Sequence, residues 1–320
     1  MFKRPLSSRR IATSLLALLT PFTAPLFAGD AHFSNDKQPT VQQTAQEANT
    51  ENLFDMDSTY DFGADFHKGK GAFGKQDAID TSVQVGHRFP LNSLKWPNTG
   101  GQWFLRLGAS YDRYDFGSSK APVPDQLQNF NAEIALEYLV DNQAEAFIQT
   151  HPGFYFSKSV TGPAFDIPTD IGGGFVIIHG KLFGFVGVTG SIMRSNVPVL
   201  PFGGIQWNIN SKLTLRAVLP EPRLVYNVTN NFAVWAGGQV TGGSFKTDIN
   251  DGVTPKRLSG AVVNYSEYRA GGGLTYSIKP VTLEMSGGYT FTRDFDFPRA
   301  DLNYSTKGAP YIRLSAHIDF

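Results

Sequence analysis

Two pairs of side chains in this 320-residue sequence have the spacing of a nucleophile and its base. Side chains two positions apart on a strand share a face, so Ser315 and His317 would lie side by side. His32 and Ser34 have the same spacing but fall in a polar stretch without periodicity. No asparagine near Ser315 could orient His317. We therefore predict that the protein is not an enzyme.

Metal and cofactor chemistry has equally little support in the sequence. The six histidines include no His-x-His pair, and the absence of cysteine excludes disulfides and thiolate metal sites. Acidic stretches at 248–251 and 294–301 have the composition of solvated loops. The triple glycines at 172–174 and 271–273 are not followed by Lys-Ser/Thr, as a phosphate-binding loop requires. We predict no cofactor and no metal.

The elements that must position any functional residue are strands. The final segment, Tyr311 to Phe320, alternates apolar and polar residues, which is typical of a strand with two unlike faces. Similar weakly alternating segments of about ten residues recur from Thr59 onward, a pattern typical of a transmembrane barrel. Among them are Ser82–Phe89, a segment near 144–156, and Gln102–Asp112, which has Trp103, Leu105 and Leu107 on the face opposite Arg106. After the N-terminal 28 residues, no segment has 18 consecutive apolar residues, so helical membrane spans are excluded. A membrane protein without spanning helices must be a closed barrel.

The connections between these segments alternate in length. Tight turns are predicted at 141–143, near 180, and at 209–211, 228–230 and 278–280, and longer loops at 116–127, 157–168, 194–199, 245–261 and 293–308. Barrels of this class have short periplasmic turns and long extracellular loops. We predict an all-β, transmembrane, antiparallel up-and-down β-barrel of 14 strands. Twelve is the alternative if the first strand (Thr59–His67) or a hairpin at 220–222 does not span.

The same alternation predicts which charged side chains face the lumen. The predicted pore-lining residues are Arg88, Arg106, Glu133, Glu137, Arg216, Glu267, Arg269, Glu284 and Arg313. Opposed arginines and glutamates would set the ion selectivity of an open pore. Alternatively, they are paired charges that plug a narrow lumen.

Aromatic residues near the tight turns, Tyr138, Trp207, Tyr226 and Tyr276 among them, predict a girdle at the membrane interface. Trp235 is an exception, because its register places it on the lumen side.

Composition and the N-terminal sequence limit the cellular compartment and the partners that we expect. We predict a signal peptide, basic and then apolar, over residues 1–28, a disordered periplasmic linker over residues 29–56, and the barrel over residues 57–320. The 28 basic and 28 acidic residues cancel, which leaves no basic field for nucleic acid.

The terminal strand ending in Phe320 resembles the sorting signal of Gram-negative outer-membrane β-barrels. The segment from Leu219 to Gly238, with 242–245, resembles an uncharacterised family of outer-membrane β-barrel proteins. The resemblance implies the outer membrane, with its lipids and lipopolysaccharide and the barrel-assembly machinery (through Tyr311–Phe320) as partners. It implies no activity and leaves the oligomeric state open.

We predict a porin-like channel for passive transport of small hydrophilic solutes. The alternative is a closed structural or adhesive barrel that acts through its extracellular loops. A remote alternative is an outer-membrane lipid-modifying enzyme.

Overall fold

The computed structural model describes residues 51–68, 71–94, 101–140, 144–194, 198–248 and 258–319. They form 17 strands and include two 3-10 helical turns at Gly162–Ala164 and Pro298–Ala300. None of the described helices is long and apolar enough to cross a membrane. The strands are β1 (Glu51–Lys68), β2 (Gly71–Pro90), β3 (Gln102–Phe116), β4 (Gln126–Val140), β5 (Ala144–Thr150), β6 (Gly153–Phe156), β7 (Phe165–Asp166), β8 (Thr169–Ile178), β9 (Leu182–Gly190), β10 (Val199–Asn208), β11 (Leu213–Val218), β12 (Arg223–Asn227), β13 (Phe232–Lys246), β14 (Val262–Ile278), β15 (Val281–Phe297), β16 (Leu302–Thr306) and β17 (Ala309–Asp319).

Fourteen of these strands close into one antiparallel barrel. In order around the wall they are β1–β5, β8–β15 and β17, and β17 returns to pair with β1 from Leu53↔Asp319 to Asp61↔Tyr311. The terminal strand is therefore the seam of the barrel. The predicted all-β barrel of 14 strands is confirmed. The alternative of 12 is wrong because β1 and the β11–β12 hairpin both pair into the wall.

Two predicted boundaries are wrong. β1 begins at Glu51, so residues 51–56 belong to the wall and not to the linker. The inward-facing Asp55 gave this part of the chain a linker-like composition, although Met56 is exposed outside and Leu53 is buried inside. The segment expected as one strand at 144–156 is divided into β5 and β6 at His151-Pro152. The predicted signal peptide, the rest of the linker and the predicted turn at 141–143 lie outside the described residues.

Strand length divides the wall into two arcs. The long arc contains β1–β4 and β13–β15, with 15 to 20 residues each, and the seam strand β17, with 11. The short arc contains β5 and β8–β12, with 5 to 10 residues each. Both arcs meet at the turn end, defined by the tight turns at 179–181, 209–212, 228–231 and 279–280. The long arc continues toward the opposite end, the loop end.

At the loop end the wall closes on fewer strands. β6 follows β5 along β4, and Phe156 at its end bridges Lys246 of β13. β16 inserts between β15 and β1. The loop-end ring therefore consists of nine strands, β1–β4, β6 and β13–β16. Barrel diameter grows with strand number, and about eight strands leave an interior that side chains fill. The barrel is thus wide at the turn end and narrow at the loop end.

Apolar side chains fill the loop-end ring. The ring centroid of Phe116 lies 5.2 Å from that of Tyr265 and 4.9 Å from that of Phe295, and Tyr114 lies 5.1 Å from Tyr265. These separations and the steep interplanar angles of Tyr114 and Phe116 are those of edge-to-face aromatic pairs. The buried members of this apolar cluster are Phe66, Ala78, Tyr114, Phe116, Val123, Leu127, Tyr155, Met193, Phe245, Leu258, Ala261, Val262, Val263, Tyr265, Phe295, Phe297, Leu302 and Tyr304.

The outer surface carries an apolar band between aromatic residues. The outward positions of β3, in order toward the loop end, are Trp103, Leu105, Leu107, Ala109, Tyr111, Arg113 and Asp115. On β4, Tyr138 lies opposite Trp103 and Phe130 lies opposite Tyr111. Trp103 to Tyr111 spans about 26 Å along the strand. Arg113 and Asp115 beyond Tyr111 form an exposed ion pair at 2.7 Å, so the band ends there.

Candidate functional site: a polar cavity in the lumen

A polar cavity of 410 Å³ lies inside the barrel between the turn end and the apolar cluster. Its lining includes Thr229 and Asn231, which are exposed in the tight turn between β12 and β13, so the cavity opens at the turn end. Asp57 and Asp80 line it from β1 and β2, and Arg223 from β12. Small-molecule sites commonly have volumes of about 300–1,000 Å³. The cavity can therefore hold a small solute.

Five alternating charges form a ladder within this cavity. Arg313 pairs with Asp57 and, at 3.2 Å, with Glu221. Arg223 pairs with Glu221 and Glu284, each at 2.8 Å. All five side chains are largely buried in the lumen. Each is paired, and buried charges that keep their partners avoid the cost of an isolated charge.

The short β11–β12 hairpin brings this ladder into the lumen. The carbonyl oxygens of Pro220 and Pro222 accept hydrogen bonds from the Val240 and Gly238 amides of β13, each at 2.9 Å. The turn therefore lies against β13 at mid-height and points Glu221 inward. Such close contact needs glycine on β13, since a Cβ at Gly237 would lie 2.2 Å from the Pro222 oxygen.

Trp235 supports the ladder from β13. The guanidinium carbon of Arg223 lies 3.9 Å from the centroid of the Trp235 ring, a cation–π contact. Trp235 is 8% exposed and lines the cavity. Its lumen position follows from its register, whereas Trp207, Tyr226 and Tyr276 are exposed on the outside near the turns.

One arginine and three carboxylates separate the cavity from the apolar cluster. Arg269 pairs with Glu267 at 2.7 Å, with Asp61 at 3.0 Å and with Asp80. The Tyr265 hydroxyl donates to Glu267 at 2.5 Å and so joins this charged cluster to the apolar cluster. The carboxylate oxygens lie within 4.8 Å of one another, a spacing that a hard cation could use. In this structure the Arg269 guanidinium bonds to all three.

A second charged group lies on the β2–β5 wall. Glu137 pairs with Arg88 at 2.5 Å and with Arg106 at 3.0 Å. Glu133 accepts hydrogen bonds from Gln84 at 2.6 Å and from Gln149 at 2.9 Å. Of these residues, Gln84 alone is among the described residues that line the cavity.

The predicted pore-lining residues fall into three groups. Those that line the cavity are Arg216, Arg269, Glu284 and Arg313. Glu267 belongs to the charged cluster around Arg269. Those in the second charged group are Arg88, Arg106, Glu133 and Glu137. All three groups lie inside the barrel, and their role as a pore lining stays a prediction.

Several cavity residues were missed by the sequence reading. Asp57 and Asp80 lie just before the predicted starts of their strands, and Glu221 lies in the predicted hairpin. Arg223 carried a usable signal, because it alternates with Leu224 and Tyr226, and both of these are exposed outside. Glu221 carried none, because only tertiary contacts turn it inward.

The possible nucleophile–base pair is not supported by the geometry. His317 contacts Asp55 through Nδ1, and its Nε2 lies 2.5 Å from the Asp319 carboxylate. Both ring nitrogens therefore contact carboxylates, which leaves neither directed at Ser315.

Comparison with known proteins gives structural neighbours alone. No family model and no curated protein matches the chain in sequence. The structure is similar to an outer membrane channel from Pseudomonas putida F1 (9% identity, 85% of this chain and 96% of that chain covered, TM-score 0.45). It is also similar to a Pseudomonas aeruginosa FadL homologue (12%, 85% and 89%, 0.40) and to LpxR from Salmonella typhimurium (10%, 84% and 100%, 0.38). At such identities and TM-scores, these similarities assign no activity to this chain.

Proposed function

We propose that the protein is an outer-membrane channel of the passive type, for small hydrophilic solutes that enter the lumen at the turn end. The observation that carries the proposal is the cavity of 410 Å³, which is lined by charged and amide side chains and open at the turn end. A lumen with paired charges of both signs offers hydrogen-bonding and ionic partners to a polar solute.

The membrane placement is supported by the outside of the barrel. The apolar band on β3 lies between Trp103 and Tyr111, and barrels in outer membranes carry such a band between aromatic girdles. The terminal strand and the basic and apolar N-terminal segment agree with export to a Gram-negative outer membrane. Recovery of the native protein in the inner-membrane or soluble fraction would contradict this placement.

Passage through this barrel requires movement of the apolar cluster. Phe116, Tyr265 and Phe295 fill the narrow loop-end ring, above the cavity. We therefore expect the wild-type protein to show small or infrequent conductance steps. Truncating side chains of the cluster should make these steps larger or more frequent, because we assign the cluster as the barrier to solute passage within the described lumen.

Single-channel recording in planar bilayers tests this proposal. The double variant Phe116→Ala/Phe295→Ala and the milder Phe116→Ala should show steps several-fold larger or more frequent than wild type. Phe291→Ala is the matched control, since Phe291 lies on β15 but is 57% exposed outside the barrel. Folding of each variant is verified by its heat-modifiable mobility in gels. Folded cluster variants without any conductance steps would overturn the channel.

A closed barrel is the second candidate, and the apolar cluster favours it. Phe245, Phe295 and Phe297 are each 0–1% exposed, as in a permanently packed core. Under this alternative, function resides in the loops at the loop end. The same folded variants would then show no steps, while loop-dependent binding to cells or surfaces would persist.

A further inference from the structure

Arg216 is the exception among the cavity arginines. Arg223, Arg269 and Arg313 each pair with two or three carboxylates. Among the described residues, Arg216 has no hydrogen-bond or ion-pair partner, and its Nε is buried. The Arg216 side chain lines the cavity. Burial of this guanidinium costs desolvation free energy, and Glu284, the carboxylate that attracts it, is bonded to Arg223 instead.

The neighbours of Arg216 across the sheet explain why it is unpaired. On β10 its cross-strand neighbour is Gln206, a neutral amide. On β12 it is Arg223, a like charge. Like charges directly opposite each other in a sheet are destabilising. An anion bound at Arg216 would relieve this repulsion and also supply the missing partner.

Arg223 contributes a fixed positive charge beside Arg216, because its own donors are already used. Its terminal nitrogens bond to Glu221 and Glu284, and its guanidinium stacks on Trp235. It is therefore held rigidly beside Arg216 while Arg216 keeps its donors for a ligand. Guanidinium groups bind carboxylates through two parallel hydrogen bonds, and such charge-assisted bonds are stronger than neutral ones.

We propose that Arg216, held next to Arg223, forms an anion subsite that binds the carboxylate of a small organic solute. The solute enters from the turn end, past the uncharged side chains of Thr229 and Asn231. This inference rests on the proposed channel in that it names a solute class for the same lumen. Binding itself needs only the open cavity.

Calorimetric titration of the purified, folded barrel with succinate tests the subsite, with succinamide as the uncharged control. Succinate should bind and succinamide should not. Arg216→Gln should weaken succinate binding by about tenfold or more, the value of a hydrogen bond to a charged group. Arg216→Lys should retain part of the affinity because it keeps the charge. Arg106→Gln is the matched control, since Arg106 is inside the barrel but outside the described cavity lining.

The stability of the same variants separates binding from a structural role. Arg216→Gln should unfold no more readily than wild type, because the change removes a repulsion with Arg223. Equal affinity of wild type and Arg216→Gln for succinate, or equal binding of succinate and succinamide, would overturn the subsite. Succinate binding without conductance would contradict the channel and leave the subsite standing. Conductance without succinate binding would contradict the subsite and leave the channel standing.

Discussion

The long arc and the short arc form one wall, but different interactions stabilise them. Inside the long arc, the side chains toward the loop end belong to the apolar cluster, so burial of aromatic area dominates. The inner face of the short arc combines Gly174 with the rings of Phe183 and Phe185, and Asp166 bonds to the segment that follows β9. The long arc therefore narrows and closes the lumen, whereas the short arc adds strands at the turn end and widens it. The taper of the barrel results from this inequality.

The largest effect on stability is expected at the charged cluster around Arg269, where the interior of the long arc changes from apolar to charged. Arg269→Gln would leave the carboxylates of Asp61, Asp80 and Glu267 without their shared cation. Removing one partner of a buried ion pair costs about 3–5 kcal/mol, and here three charges lose one partner, so we expect the upper end. Denaturant unfolding in lipid or detergent measures the loss. Restoration of stability by neutralising Asp80 in the same variant would confirm the cause, and an unchanged free energy of unfolding for Arg269→Gln would refute it.

A cavity in the apolar cluster should have the next largest effect. Phe295 is 0% exposed and contacts Phe66, Phe116 and Tyr265. Phe295→Ala should cost about 3 kcal/mol, the lower end for such truncations, because the surrounding rings can partly close the cavity. Phe291→Ala on the outside of the same strand should cost much less. Similar losses for the two variants would mean that the cluster is not the core of the long arc.

How much of this was readable from the sequence depends on the arc. Alternation predicted the strand faces of the long arc, since Trp103, Leu105 and Leu107 face outward as expected. It also predicted the total of 14 strands. Alternation describes each strand by itself and does not show where a residue lies along the barrel axis. The narrow nine-strand ring and the apolar cluster could therefore not be predicted.

The cavity was readable only in part for the same reason. Arg216, Glu284 and Arg313 follow from parity within their strands. Glu221 lies in a turn, where parity has no meaning, and it faces the lumen because Pro220 and Pro222 accept hydrogen bonds from β13. The pairing of specific charges is likewise a property of the closed wall. Glu221 precedes β12 and Arg313 lies on β17, so the five strands β12–β16 separate them in the chain and no local pattern joins them.

The short arc should respond to loss of one carboxylate. Asp166 is 0% exposed and accepts hydrogen bonds from the Ser191 hydroxyl at 2.5 Å and from the amides of Ile192 and Met193 at 3.0 and 3.3 Å. Asp166→Asn removes the charge and should cost about 1.5–3 kcal/mol. Hydrogen exchange at the Ile192 and Met193 amides should accelerate.

Asp125→Asn is the matched control for that change, because the Asp125 side chain is 73% exposed and pairs only loosely with Lys158. It should shift the free energy of unfolding by less than about 0.5 kcal/mol. If exchange at Ile192 and Met193 is as slow in Asp166→Asn as in wild type, the carboxylate does not hold that end of the short arc.

The smallest expected difference in the free energy of unfolding is between two glycine-to-alanine variants, one from each arc. A Cβ at Gly288 in the long arc would lie 2.1 Å from the backbone oxygen of Ala270, so backbone must move, and Gly288→Ala should cost about 1–3 kcal/mol. A Cβ at Gly174 in the short arc would meet the ring of Phe183 at 2.4 Å. That ring can rotate toward the wider part of the lumen, so Gly174→Ala should cost less than about 1 kcal/mol. Parallel denaturant titrations measure both variants. Equal costs would show that the short arc packs as tightly as the long arc, and the taper would then lose its energetic basis.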